Sequence, residues 1–347
     1  MFTSLHTIAR LGVLSLAASS LAALTAAQLR PEAAPKSSAP NPWQAVSARG
    51  AGMELVHRED GRTRRLAAPR SERWEYVSTS PWACEDGSME AVARFATLNR
   101  DAWAEEGSVG LVRLRLPEGE VLERIETDAM PTGRAAWDPA GGDRVVFPGS
   151  TGRLYSYGFG QGPAGEGSTV AALEWRGAPP EGREPFMIDP SWPQLPGPKR
   201  FLLVSMSPAQ GMLPAGTSRP IAPWWLELDE DGQAIVDAGP LFDPEDPIAL
   251  DPRGRIRHPS VIERDGRPRL LFLRYEPMQG GAAIYLADLD LDPATGRPSV
   301  RPGTVARVGD RATALGPLIP SLDYQPSSPN DESGRALTVL FASFALR

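Results

Sequence analysis

Apolar residues along this chain fall in short bursts cut by Gly, Pro and polar clusters, as at Val145–Phe147, Phe201–Val204 and Leu270–Leu273. Other stretches alternate apolar with polar positions, as in VGLVRLRL from Val109 to Leu116. Both patterns, set between turn signals, predict short β-strands. Helix signals hardly appear, and 34 Gly and 36 Pro leave little room for long uninterrupted helices. The fold class predicted is all-β.

The order of these strands repeats. Arg134–Trp137, Asp143–Phe147, Arg153–Phe159 and Ser168–Trp175 read as a four-stranded antiparallel meander. The same order occurs over 74–83, 88–98, 109–117 and 120–125, over 186–192, 199–207, 222–229 and 233–239, and over 256–264, 268–276, 282–290 and 297–302. A last copy has 319–329 and 335–345, and a hairpin of 52–59 and 61–68 around Asp60-Gly61 supplies its other two strands. Five such meanders predict a five-bladed β-propeller whose last blade is closed by N-terminal strands; a six-bladed ring or a β-sandwich is the rival. Prolines serve as anchors for the first strand of each copy: Pro81, Pro139, Pro190, Pro259 and Pro326, at intervals of 58, 51, 69 and 67.

With the repeat laid out, AAWDPAGGDRVVFPGSTGRLYSYGF resembles the blade of TolB-type, WD-repeat-like propellers of bacterial envelopes. Trp137, Asp138, Pro139, Arg144, Val145, Phe147, Leu154 and Tyr155 carry the resemblance, and Pro259, Gly266, Leu271, Phe272, Ile284 and Tyr285 carry it in a second blade. The resemblance implies an exported propeller and no particular activity.

Composition adds an address. Residues 1–27 hold Arg10, an apolar small-residue run from Leu11 to Ala27 and no acid, the layout of an export signal cleaved before Gln28. Residues 28–50 are rich in Pro, Ala and Ser and read as an extended spacer, leaving 51–347 for the propeller. The chain is predicted to be periplasmic or extracellular and not integral to a membrane once the signal is removed. A formal charge of −7 without a basic cluster speaks against a nucleic-acid partner. Cys84 is the only cysteine, so no intramolecular disulfide can form and stability must come from packing.

The residues preceding the anchor prolines are Ser80, Asp138, Asp189, His258 and Gln325, all polar. Inner strands line a propeller's channel, so these five are candidates for a binding ring near one mouth. The reading favoured over the ring has each capping its own turn through backbone N–H groups. No compact His/Asp/Cys spacing supports a metal, and no cofactor is predicted; G-x-S-x-G and C-x-x-C-H are absent. Trp224 and Trp225 beside the long insertion 207–223, together with the loop 240–254, are candidates for a partner surface.

These features predict a non-catalytic binding or scaffold protein of the envelope, with a protein or polysaccharide partner. One alternative is a subunit of a larger envelope assembly. The other is a glycoside hydrolase: such enzymes with five-bladed propellers set carboxyl groups at inner strand ends, and Asp138, Asp189 and Glu263 are available here. Ser80 stands at that level in the first blade.

Overall fold

The computed structural model describes residues 36–307 except 48–51, 58–59, 100–103, 140–142, 161–169, 194, 198, 208–220, 244, 247, 249–254, 265 and 277–280. The N-terminal strands are β1 (Lys36–Pro40), β2 (Trp43–Ser47), β3 (Gly52–His57) and β4 (Thr63–Ala67). Then come β5 (Glu72–Thr79), β6 (Trp82–Cys84), β7 (Met89–Asn99), β8 (Ala104–Leu116) and β9 (Glu120–Glu126). The next meander is β10 (Ala136–Trp137), β11 (Arg144–Pro148), β12 (Leu154–Gly158) and β13 (Ala171–Ala172). After it follow β14 (Glu174–Trp175), β15 (Phe186–Ser191), β16 (Arg200–Ser207), β17 (Ala222–Leu228) and β18 (Ala234–Pro240). The last described strands are β19 (Arg255–Arg264), β20 (Arg267–Glu276), β21 (Gly281–Leu291), β22 (Pro298–Val300) and β23 (Ala306–Arg307).

Four antiparallel meanders, β5-β7-β8-β9, β10-β11-β12-β13, β15-β16-β17-β18 and β19-β20-β21-β22, match the four complete blades predicted from sequence. A three-stranded sheet, β2-β3-β4, makes a fifth, and the architecture is a five-bladed β-propeller. Inner strands β5, β10, β15 and β19 contact one another in that order, and β2 and β3 contact β5.

Burial on both faces explains the continuous apolar runs. In β11, Val145 and Phe147 pack toward Val92 and Leu111 of the preceding blade, whereas Val146 packs toward Met187, Leu202 and Val204 of the following one. Leu202 and Val204 of β16 face back, while Phe201 and Leu203 join Leu270 and Phe272 of β20. Side chains alternate across a strand, so a strand wedged between two sheets must be apolar at successive positions.

The β3–β4 hairpin forms as predicted, with Gly61 in the left-handed region at φ 68° where a side chain would be strained. One expectation is corrected. Residues 28–50 are not spacer throughout, because Lys36–Pro40 pairs with β6 and Trp43–Ser47 with β3. The strands expected at 319–329 and 335–345, and Gln325, lie outside the described residues.

Three inner strands share one irregularity. In β5 the ladder passes from Glu75↔Arg94 to Ser78↔Val92, in β15 from Ile188↔Ser205 to Ser191↔Leu203, and in β19 from Arg257↔Leu273 to Ser260↔Leu271. Each strand advances three residues while its partner advances two, which is a β-bulge. At each, the first bulged residue is left-handed: Tyr76 at φ 52°, Asp189 at φ 53° and His258 at φ 54°.

Candidate functional site

The shared bulge realigns the predicted ring. Ser78, Ser191 and Ser260 are structural equivalents, and in β10 the pairing Ala136↔Val146 puts Ala136 at the same level. Counting from these, Ser80 matches Asp138, but Asp189 and His258 match Tyr76 and Arg134. The proline anchors Pro81 and Pro139 thus sit four residues later in their strands than Pro190 and Pro259, and the ring resolves into two levels.

At the later level Ser80 is fully buried, its N–H donating to Glu90 O at 2.9 Å and its Oγ to Trp82 O. It is a turn cap. Asp138 is also buried, and its N–H donates to Arg144 O at 2.9 Å while its carboxylate takes the guanidinium of Arg200. Arg200 also donates to Glu230 O at 3.0 Å and lies 5.2 Å from the Trp192 ring centre, so it is held on three sides. Asp138 borders a cleft of about 650 Å³ built from the ends of β10, β15 and β19 and the start of β6. Trp82 and Trp192 line it, with Lys199, Arg200, Phe201 and Glu263. Lys199 is tethered to Glu227 at 2.8 Å. Glu263 is exposed and has no hydrogen-bond or ion-pair partner among the described residues.

At the earlier level Asp189 accepts two bonds from Arg257, at 2.5 and 2.9 Å, and lies 3.3 Å from His258 Nδ1. The His258 N–H donates to Asp189 Oδ2 at 3.2 Å and to Ser205 Oγ at 3.1 Å. Burial opposes ionisation of Asp189, but the positive groups facing it, His258 when protonated and Arg257, and hydrogen bonds from Arg257 and Ser205 outweigh it. Its pKa is held well below the usual carboxylate range. Burial pushes the His258 imidazole down to about 4, with Arg257 and Arg134 adding to the shift and Asp189 opposing it.

Several predicted positions leave the site. Asp189 does not line the cleft of Asp138 and Glu263, which on this part of the chain begins at Trp192, three residues further on. Trp225 is a core residue, edge-on to Phe201 at 5.8 Å, and Trp224 packs against the core between the second and third meanders; neither lines the cleft. Most of the insertion 207–223 lies outside the described residues, and in the other loop Leu241 and Phe242 are buried. Among the described residues no group of three His, Cys, Asp or Glu could hold a metal ion. Sequence reasoning missed Trp82, Trp192, Lys199 and Arg200. Trp82 directly follows the anchor Pro81 in SPW, and Trp192 stands two residues past the anchor Pro190 in PSW.

The chain is thus an all-β propeller with an aromatic- and carboxyl-lined cleft at the inner-strand ends. No protein-family model matches it, and no curated protein matches it. Among solved structures it is similar to an exo-β-1,3-galactanase from Phanerochaete chrysosporium, at 11% identity and TM-score 0.42, over 81% of this chain and 68% of that one. It is likewise similar to an exo-1,5-α-L-arabinanase from a bovine ruminal metagenomic library, at 11% identity and TM-score 0.42, over 78% of this chain and 99% of that one. A third is the α-L-arabinanase of Cellvibrio cellulosa, at 13% identity and TM-score 0.42, over 76% and 96% of the two chains. The likeness is one of fold. None of these three neighbours is named as a TolB-type protein. The expectation of a non-catalytic binding or scaffold protein is corrected against these neighbours, which are named as glycan-cleaving enzymes rather than scaffolds.

Proposed function

We propose that this protein is a carbohydrate-active hydrolase working in the cleft at the inner-strand ends. The observation that carries the reading is the convergence of two carboxyl residues, Asp138 and Glu263, with two indoles, Trp82 and Trp192, on one cleft of about 650 Å³. Glycosidic bond cleavage needs a carboxylic acid to protonate the leaving oxygen and a carboxylate to face the developing oxocarbenium ion. Glu263, exposed and unpartnered among the described residues, takes the part of proton donor. Asp138, oriented by Arg200, takes the part of the facing carboxylate. Indole faces suit the apolar faces of sugar rings, as flat and rigid contact area.

The test is release of reducing ends from arabinan, β-1,3-galactan and xylan. Glu263→Gln is expected to lower kcat by about 10²–10⁴-fold, the usual weight of a general acid. Trp192→Ala should raise KM more than it lowers kcat. Failure of the wild-type chain to release reducing ends from any of the three glycans, or a Glu263→Gln variant as active as wild type, removes the reading.

We propose in addition that residues 1–27 export the chain, so that the cleft meets polysaccharide outside the cytoplasm. No helix among the described residues is long and apolar enough to cross a membrane.

A further inference from the structure

The level of Asp189 and His258 is not used by the cleft and carries its own chemistry. Asp189 Oδ1 faces His258 Nδ1 at 3.3 Å, which places the ring proton on Nδ1 and leaves Nε2 a bare lone pair. No donor among the described residues reaches His258 Nε2, although the atom is buried. A buried acceptor without a donor is unfavourable, so such a group in a native fold calls for an occupant. Both Asp189 and His258 are in left-handed backbone, a conformation that is strained for a residue with a side chain. The same bulge sets Tyr76, 38% exposed, at this level in the first meander. Strain repeated at equivalent positions of three strands, with an orphaned acceptor at one of them, marks a built site.

The neighbours define its ligand. Burial keeps the imidazole neutral, with Arg257 and Arg134 acting in the same direction and Asp189 against it, so Nε2 offers a neutral lone pair. What Nε2 requires is an O–H donor. We propose that the Asp189–His258 pair is a hydroxyl-binding site for a sugar or polyol, with His258 Nε2 accepting a hydrogen bond from a ligand hydroxyl. Asp189 fixes the tautomer, and Arg257 and Ser205 fix Asp189. The site is separate from the cleft of Asp138 and Glu263 and does not depend on hydrolysis there.

Histidine ¹⁵N NMR of the full chain tests this, since only His6, His57 and His258 contribute signals and His258→Gln identifies the third. The free chain is expected to show His258 Nε2 unprotonated. Titration with L-arabinose, D-galactose, D-xylose and glycerol is expected to shift that signal saturably for at least one of them. Asp189→Asn should weaken the saturation roughly three- to tenfold, the weight of one hydrogen bond. Should that variant fail to fold, Ser205→Ala, which loosens Asp189 but keeps its charge, is expected to weaken it in the same direction. A His258 Nε2 that carries its own proton in the free chain, or a signal unmoved by all four compounds, overturns the proposal. Glu263→Gln is expected to leave the shift in place, so a loss of hydrolysis and a loss of this site are read separately.

Discussion

His258 shows how far one side chain's surroundings set its behaviour. An imidazole with its pKa lowered to about 4 is neutral in the folded chain at pH 5–6, where the unfolded chain, near 6.5, takes up a proton. The unfolded state therefore binds more protons across that window, and stability rises with pH. Stability is expected to fall as pH drops from about 6.5 to about 4, by roughly 3 kcal/mol from this group. Asp189, whose pKa is depressed, adds a second loss that begins only below about pH 4, where unfolded carboxylates protonate. The groups facing His258 are Asp189 on β15, Arg257 on its own strand and Arg134 ahead of β10. Urea unfolding at pH 7.5, 6 and 5 is expected to show this decline in the wild type and a flatter profile in His258→Gln. Equal slopes in the two would mean that His258 is not the group that titrates. Polar residues such as Ser80, Asp138, Asp189 and His258 could be picked from the sequence by their place before a proline. Their grouping could not, because Pro81 and Pro139 mark a different level from Pro190 and Pro259. The recurring feature is the x-[Pro/Val]-Ser triplet at 76–78, 189–191 and 258–260, visible only once the ladders reveal the bulge.

Strands were legible where burial on both faces forced apolar runs, as in Val145–Phe147 and Leu270–Leu273. KSSAP and WQAVS carry no such run; among the described residues β1 pairs with the three-residue β6 alone and β2 edges a three-stranded sheet. Their Pro, Ala and Ser content reads as spacer. Trp43 is the residue in β2 that contradicts a spacer. It is buried, its N–H donates to Asn41 Oδ1 at 2.9 Å, and its ring meets His57 edge-on at 5.0 Å within the cluster of Leu55, Leu66, Trp74 and Phe95. Trp43→Ala is expected to destabilise the chain by about 3–5 kcal/mol, the usual cost of emptying a large aromatic site. Val236→Thr, at a 38% exposed position, should stay within about 0.5 kcal/mol. Chemical unfolding of the two variants checks this, and a small loss for Trp43→Ala would return residues 36–47 to the status of a tether. The cleft was less legible for a related reason: its lining comes from the ends of several strands, and only the ring brings Glu263 of β19 to the same opening as Trp82 of β6 and Asp138 after β10.

At the scale of the whole molecule, the only cysteine, Cys84, is buried and cannot cross-link the ring, so its cohesion lies in the apolar layers between successive sheets. A chain stabilised this way has no disulfide to form after crossing a membrane. When it is expressed in an exporting bacterial host, N-terminal sequencing of the chain from the soluble envelope fraction is expected to begin at Gln28. Recovery only in the cytoplasm, or with Met1 intact in the membrane fraction, would oppose the export proposal. The repeated bulge also has a bearing on how such a ring can change. At one backbone socket, reproduced in three sheets, the chain holds a phenol, a carboxylate and an imidazole. The ladders on either side of the kink keep the same register whichever group occupies it. Reactive groups can thus be exchanged there like fittings in a common mount, giving each sheet its own chemistry while the architecture that carries it stays as it was.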